Sequence, residues 1–131
     1  MTKPGGKMYD CAVGCPVEAT LDLIDGKWKG VILYHLLSDK VRFNELRRRL
    51  SRITQRMLTR QLRELEAAGL IHREIFPEVP PRVEYSLTAL GRSLEPVIHN
   101  LWSWGDRYLA NRGTPANLVK GPAYPRLVVE R

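Results

Sequence analysis

The chain has 131 residues, with 21 lysines and arginines against 14 acids, a formal net charge of +7 and a hydrophobic content of 44%. That length suits one domain with a real core, and the basic balance favours an acidic polymer or an anionic surface as partner. No apolar run approaches the roughly 20 residues that cross a bilayer, no apolar stretch near the N-terminus reads as a secretory signal, and two cysteines are too few for a disulfide scaffold, so a cytoplasmic protein with reduced thiols and no membrane partner is expected.

Residues 1–14 are polar and rich in Gly and Pro, and read as a flexible arm. Helical periodicity begins near Val17, with Leu21 and Ile24 expected to face inward and Asp25-Gly26 to end the helix. A second helix runs from about Lys27 to Leu37, its broad apolar face set by Trp28, Val31, Ile32, Tyr34-His35 and Leu36. Val41 marks a short strand. Phe43, Leu46 and Leu50 form the inner stripe of a short helix that a tight turn closes. Thr54 is placed to cap the next helix, whose stripe is Leu58, Leu62 and Leu65, and Gly69 is placed to end it. Ile71 to Phe76 and Arg82 to Leu87 read as strands joined by Pro77-Glu78-Val79-Pro80-Pro81. In the second strand Val83, Tyr85 and Leu87 share one face, and Arg82, Glu84 and Ser86 the other. Thr88 caps a long helix reaching about Arg112, in which Pro96 makes a kink or a second start. Residues 113–131 read as a C-terminal tail. No internal repeat is present.

The order helix, turn, basic helix, β-hairpin gives a fold class that is mainly α with a small β-wing, a winged helix-turn-helix, over residues 15–112. Eight arginines (Arg42, Arg47, Arg48, Arg49, Arg52, Arg56, Arg60 and Arg63) fall in its first half, with Glu45 the only acid among them. With the leucines turned inward, the second motif helix presents Gln55, Arg56, Thr59, Arg60 and Arg63 outward. Arginine bonds guanine bidentately, glutamine bonds adenine, and threonine reaches a phosphate or a thymine methyl. Gln55, Arg56 and Arg60 are therefore assigned to bases, and Thr59 and Arg63 to the DNA backbone. Arg42 and Thr54 join the same surface. For Arg82, beside the wing prolines, two readings stand: a reach into a minor groove or to phosphates, and an ion pair with Glu84 or Glu78.

The sequence resembles the HxlR-type winged-helix transcriptional regulators of bacteria. The resemblance is carried by Cys15-Pro16-Val17-Glu18-Ala19-Thr20-Leu21, Gly26-Lys27-Trp28-Lys29 and Arg42-Phe43-Asn44-Glu45-Leu46. It continues through Met57-Leu58-Thr59-Arg60-Gln61-Leu62-Arg63-Glu64-Leu65, Gly69-Leu70-Ile71, Pro80-Pro81-Arg82-Val83-Glu84-Tyr85-Ser86-Leu87-Thr88 and Leu90-Gly91. Asp25 departs from the glycine more common there. The resemblance implies a homodimer whose N- and C-terminal helices pack across a two-fold, a pseudo-palindromic operator in double-stranded DNA as partner, regulation of nearby genes (repression is expected), and no catalysis.

Surplus apolar residues on the last helix agree with a dimer. Leu94, Val97, Ile98, Leu101, Trp102 and Tyr108 are assigned to the dimer surface, with Leu21 from the first helix. The resemblance also implies sensing of oxidants or electrophiles by a cysteine before the first helix, the place Cys15 occupies. A helix N-terminus favours its thiolate, as would Lys27 and Lys29 if near, and Cys11 is a candidate second thiol. The contrary reading makes Cys15 a small buried hydrophobe and Cys11 incidental. The C-x-x-x-C spacing is not the redox C-x-x-C motif. His35, His72 and His99 are scattered, so no metal site and no cofactor are expected. Two other readings remain: a regulator that answers a small-molecule effector bound near Trp28, Tyr34, Trp102, Trp104 and Tyr108, and a nonspecific architectural DNA-binder. No phosphate loop, nucleophile motif or acid/base pair points to an enzyme.

Overall fold

The computed structural model describes residues 14–112. The arm and tail therefore lie outside the described residues, apart from Gly14, and so does Cys11. In chain order the elements are α1 (Pro16–Leu23), α2 (Lys29–Leu36), β1 (Val41–Arg42), α3 (Phe43–Arg49), α4 (Gln55–Ala67), β2 (Ile71–Phe76), β3 (Arg82–Leu87), α5 (Ala89–Arg92) and α6 (Glu95–Asn111). The three strands form one antiparallel sheet in the order β1-β3-β2, with Val41 opposite Tyr85 and Ile71 opposite Leu87.

The local chemistry of α4 accounts for both of its ends. Thr54 Oγ1 accepts a hydrogen bond from the Met57 amide at 3.0 Å, which satisfies one of the free donors of the first turn. At the other end Gly69 adopts φ +79°. That geometry lets the Leu70 amide reach the Leu65 carbonyl at 3.0 Å and the Gly69 amide reach that of Glu66 at 2.9 Å. Between the caps Leu58, Leu62 and Leu65 are fully buried, each burial contributing roughly 1.5–3 kcal/mol. They join a core with Ile32, Leu33 and Leu36 of α2, Leu46 of α3, Val41, Tyr85 and Ile98.

The helix expected from Thr88 to Arg112 is two helices. Thr88 caps only the four-residue α5, through a 3.0 Å bond from the Gly91 amide, and α6 restarts with Pro96 in its first turn, where its missing N–H costs nothing. The junction is tight. A Cβ on Gly91 would sit 2.0 Å from the Leu70 carbonyl oxygen, so only glycine fits.

Two sequence expectations are corrected. Leu21 does not face inward: it is 56% exposed, and the eight-residue α1 buries no residue fully. Ile24 lies past the helix and is half-buried. Leu94 and Ile98, assigned to a dimer surface, are buried in this chain's own core, and Val97 packs against that core. α6 packs against α2, and its first turns supply Ile98 to the core, so they are used internally. The Arg82, Glu84 and Ser86 face of β3 is half-covered, with Glu84 gathering cations there.

Candidate nucleic-acid interface

Because α4 buries the leucine stripe, Gln55, Arg56, Thr59, Arg60 and Arg63 are brought together on one shallow concave surface, as the helical period requires. Arg56 and Arg63 make no hydrogen bond or ion pair among the described residues. Arg60 Nε lies 3.3 Å from Glu64, which is also held by Lys29 of α2 at 2.9 Å. Hydrogen bonds and charge from Lys29 and Arg60 keep the Glu64 carboxyl below its usual range, and Glu64 raises Lys29 in turn. Glu64 thus ties the recognition helix to α2 and stays anionic beside the cationic face.

Glu45 instead braces α3 from within. Arg48 and Arg49 both hydrogen-bond its carboxylate, pushing its pKa down to about 2. Two of the eight motif arginines are therefore committed to the helix itself, while Arg47 and Arg52 are exposed.

At the wing, Arg82 takes the second of its two readings. Its guanidinium lies 3.2 Å from Glu78 and 3.4 Å from Glu84, and covers the Phe76 ring at 4.0 Å. Arg42 reaches the same Glu84 carboxylate at 3.8 Å, as does Lys40. The register explains this: Arg42 stands opposite Glu84 across the β1–β3 ladder. Glu74 also stands opposite Glu84, a like-charge pair that the three cations offset. Arg42 remains exposed on its outer side, so a phosphate could still displace its long contact.

Cys15 is 9% exposed and sits at the start of α1, where its carbonyl accepts from the Ala19 amide. Lys29 is committed to Asp25 and Glu64, and Lys27 lies over the Trp28 ring at 4.9 Å. On α6, Leu101 and Trp104 are 53% and 62% exposed, Trp102 is half-buried, and Tyr108 is 45% exposed. Trp104 and Tyr108 stack with centroids 5.3 Å apart. Val17 and Leu21 of α1 and Val31 of α2 are exposed too.

Residues 23–113 match the HxlR-like helix-turn-helix family. The helix-turn-helix transcriptional regulator YdeP of Bacillus subtilis (strain 168) is 64% identical over 95 residues, 72% of this chain and 74% of YdeP. The chain belongs to the HxlR-like family. Among solved structures, the redox regulator HypR in its oxidized form superposes with a TM-score of 0.68 at 60% identity, covering 71% of this chain and 96% of that one. The reduced transcriptional regulator YodB from B. subtilis superposes at 0.62 with 34% identity, over 72% and 93% of the two chains.

This HxlR-like protein is thus a winged helix-turn-helix transcriptional regulator, and Gln55, Arg56, Thr59, Arg60 and Arg63 share one face of α4, as their spacing in sequence requires. Two features escaped sequence reading. Glu84 organises the wing base, but its partners depend on the register of β1, a pairing across more than 40 positions of chain. Lys29 reaches Glu64 from another helix. His35, by contrast, was placed on the apolar face of α2 by its spacing, and it is 2% exposed there.

Proposed function

We propose that two copies of this regulator bind a pseudo-palindromic operator in double-stranded DNA, each placing α4 in a major groove, and that oxidation at Cys15 alters the binding. The reading puts the protein in the cytoplasm and assigns it no catalysis. The observation that carries it is the outer face of α4, where Arg56 and Arg63 make no hydrogen bond or ion pair among the described residues and Gln55, Thr59 and Arg60 flank them. Gln55, Arg56 and Arg60 read bases. Thr54, Thr59, Arg63 and Arg42 meet the backbone, and Arg82 braces the wing. Exposed Leu21, Leu101, Trp104 and Tyr108, with half-buried Trp102, support packing of α1 and α6 against a second copy. Arg60→Ala should cost about 1–3 kcal/mol on the operator and relax base preference at one position per half-site. Equal weakening on operator and random DNA in a binding titration would make Arg60 a phosphate contact instead.

The thiol reading is supported by the position of Cys15 at the start of α1, next to the exposed Val17 and Leu21, and by likeness to HypR. In the proposed step, the thiols of Cys15 and of Cys15 or Cys11 of the partner subunit lose two protons and two electrons to an oxidant such as diamide. One S–S bond forms and diamide becomes the hydrazine. The bond requires Cα atoms within about 6 Å. A gel shift with and without diamide should show altered affinity for wild type, and none for Cys15→Ser. A wild type indifferent to diamide, or a Cys15→Ser variant that responds normally, rules out the switch.

A further inference from the structure

We propose that the cleft between α2, the α3–α4 turn and α6 is a binding site for a small aromatic carboxylate. The cleft has a volume of about 490 Å³, within the range of small-molecule sites. Trp28, Tyr34 and Trp102 supply aromatic walls. The Trp102 indole N–H donates to the Tyr34 hydroxyl, which fixes two of those rings relative to each other. Flat, prepositioned walls favour a planar ring over a flexible chain.

The charge of the lining is one-sided. Lys27, Arg49 and Arg52 contribute to it, and no aspartate or glutamate does. Arg49 shares its charge with Glu45 at 2.9 Å, so an anion entering there is drawn chiefly by Lys27 and Arg52, with no opposing carboxylate in the wall. His35, in the same wall, gives an independent sign of a ligand. It is almost wholly buried, yet its Nδ1 has no hydrogen-bond partner. Buried polar atoms in native proteins are nearly always paired, and an orphan beside a cleft marks a place where a bound molecule completes the pairing. Burial and the nearby Arg49 charge hold the imidazole at a pKa of about 4, so it is neutral at pH 7 and has one N–H to donate to a carboxylate.

The location connects the cleft to DNA reading. Leu50, Ser51 and Arg52 in the lining are the turn that leads directly into Thr54, the cap of α4. Leu101 and Trp102 in the lining belong to α6. A ligand held between them touches both the reading helix's entry and the helix that bears the exposed aromatics.

The test is calorimetric titration of the full chain, without DNA, with 1-naphthoate and with 1-naphthamide, which keeps the shape and removes the charge. The absence of DNA means that failure here leaves the operator reading untouched. Gly30 lines the cleft from α2, and a Cβ there meets no atom within 4 Å. Gly30→Leu therefore starts its side chain in open space at the cleft wall and is expected to occlude the cleft, at a helical position where leucine is favoured over glycine. Saturable naphthoate binding is expected, at least tenfold weaker for naphthamide and at least tenfold weaker in Gly30→Leu, whose melting temperature should be no lower than wild type. Arg52→Gln, at an exposed residue, is the second variant and should lose at least threefold. No saturable binding of naphthoate, equal affinity for the amide, or undiminished affinity in both variants would overturn the proposal.

Discussion

α4 and α6 are both amphipathic by sequence, yet they solve opposite problems. α4 encloses its whole leucine stripe and turns every charge outward. α6 buries Ser103 and Asp106 while leaving Leu101, Trp104 and Tyr108 exposed. The first helix is completed by its own chain, and its free surface is polar and cationic. The second is finished only in its first turns, and the rest presents aromatic rings that water does not favour. The contrast separates a helix built to meet a polyanion from one built to meet protein.

The largest effect expected from breaking this division is on α6. Trp104→Glu places a charge on the exposed aromatic stack and should yield a monomer by sedimentation. Operator affinity should fall on the order of a hundredfold or more, since each half-site is then bound without help from the other. A dimer of unchanged affinity would show that the exposed aromatics serve something else.

A smaller effect lies in α2, which packs against both helices. The folded chain keeps His35 neutral down to about pH 4, whereas the unfolded chain protonates it near 6.5. Its contribution is fully present above pH 6.5 and is lost as pH falls toward 4, by up to on the order of 3 kcal/mol. The melting temperature of His35→Leu should therefore fall less than that of wild type across this window. Parallel curves would mean that His35 does not titrate as its burial requires.

The smallest effect is on α4 itself. Thr54→Ala removes the cap bond and should cost about 1 kcal/mol in chemical denaturation, with the dimer intact. A loss of dimer in that variant would blur the separation between the two helices.

What the sequence revealed follows the same line. The caps of α4, the leucine stripe, both long strands and the outward arginines depend on neighbours within a few residues, and the pattern of side chains specifies them. The fate of α6 was harder to read. A surplus of apolar residues indicates that association is favoured, but not which of them the chain keeps for itself, so Leu94, Val97 and Ile98 were expected outside and lie within. Arg82 shows the same limit. Its partners Glu78 and Glu84 were both foreseen, yet that it takes both, over the Phe76 ring, depends on three-dimensional packing. The cleft beside His35 assembles from three segments distant in the chain; Trp28, Tyr34 and Trp102 were foreseen as an effector lining and line it, whereas Trp104 and Tyr108 do not.

The contact of Gly91 with the Leu70 carbonyl gives the molecule a pivot with no slack. Leu70 closes the end of the reading helix, and Gly91 stands four residues before the start of α6. Backbone rests on backbone at this point, with no side chain between them to act as a cushion. Like a bearing without play, the end of α4 and the short α5 meet with no room for a side chain to absorb a shift between them.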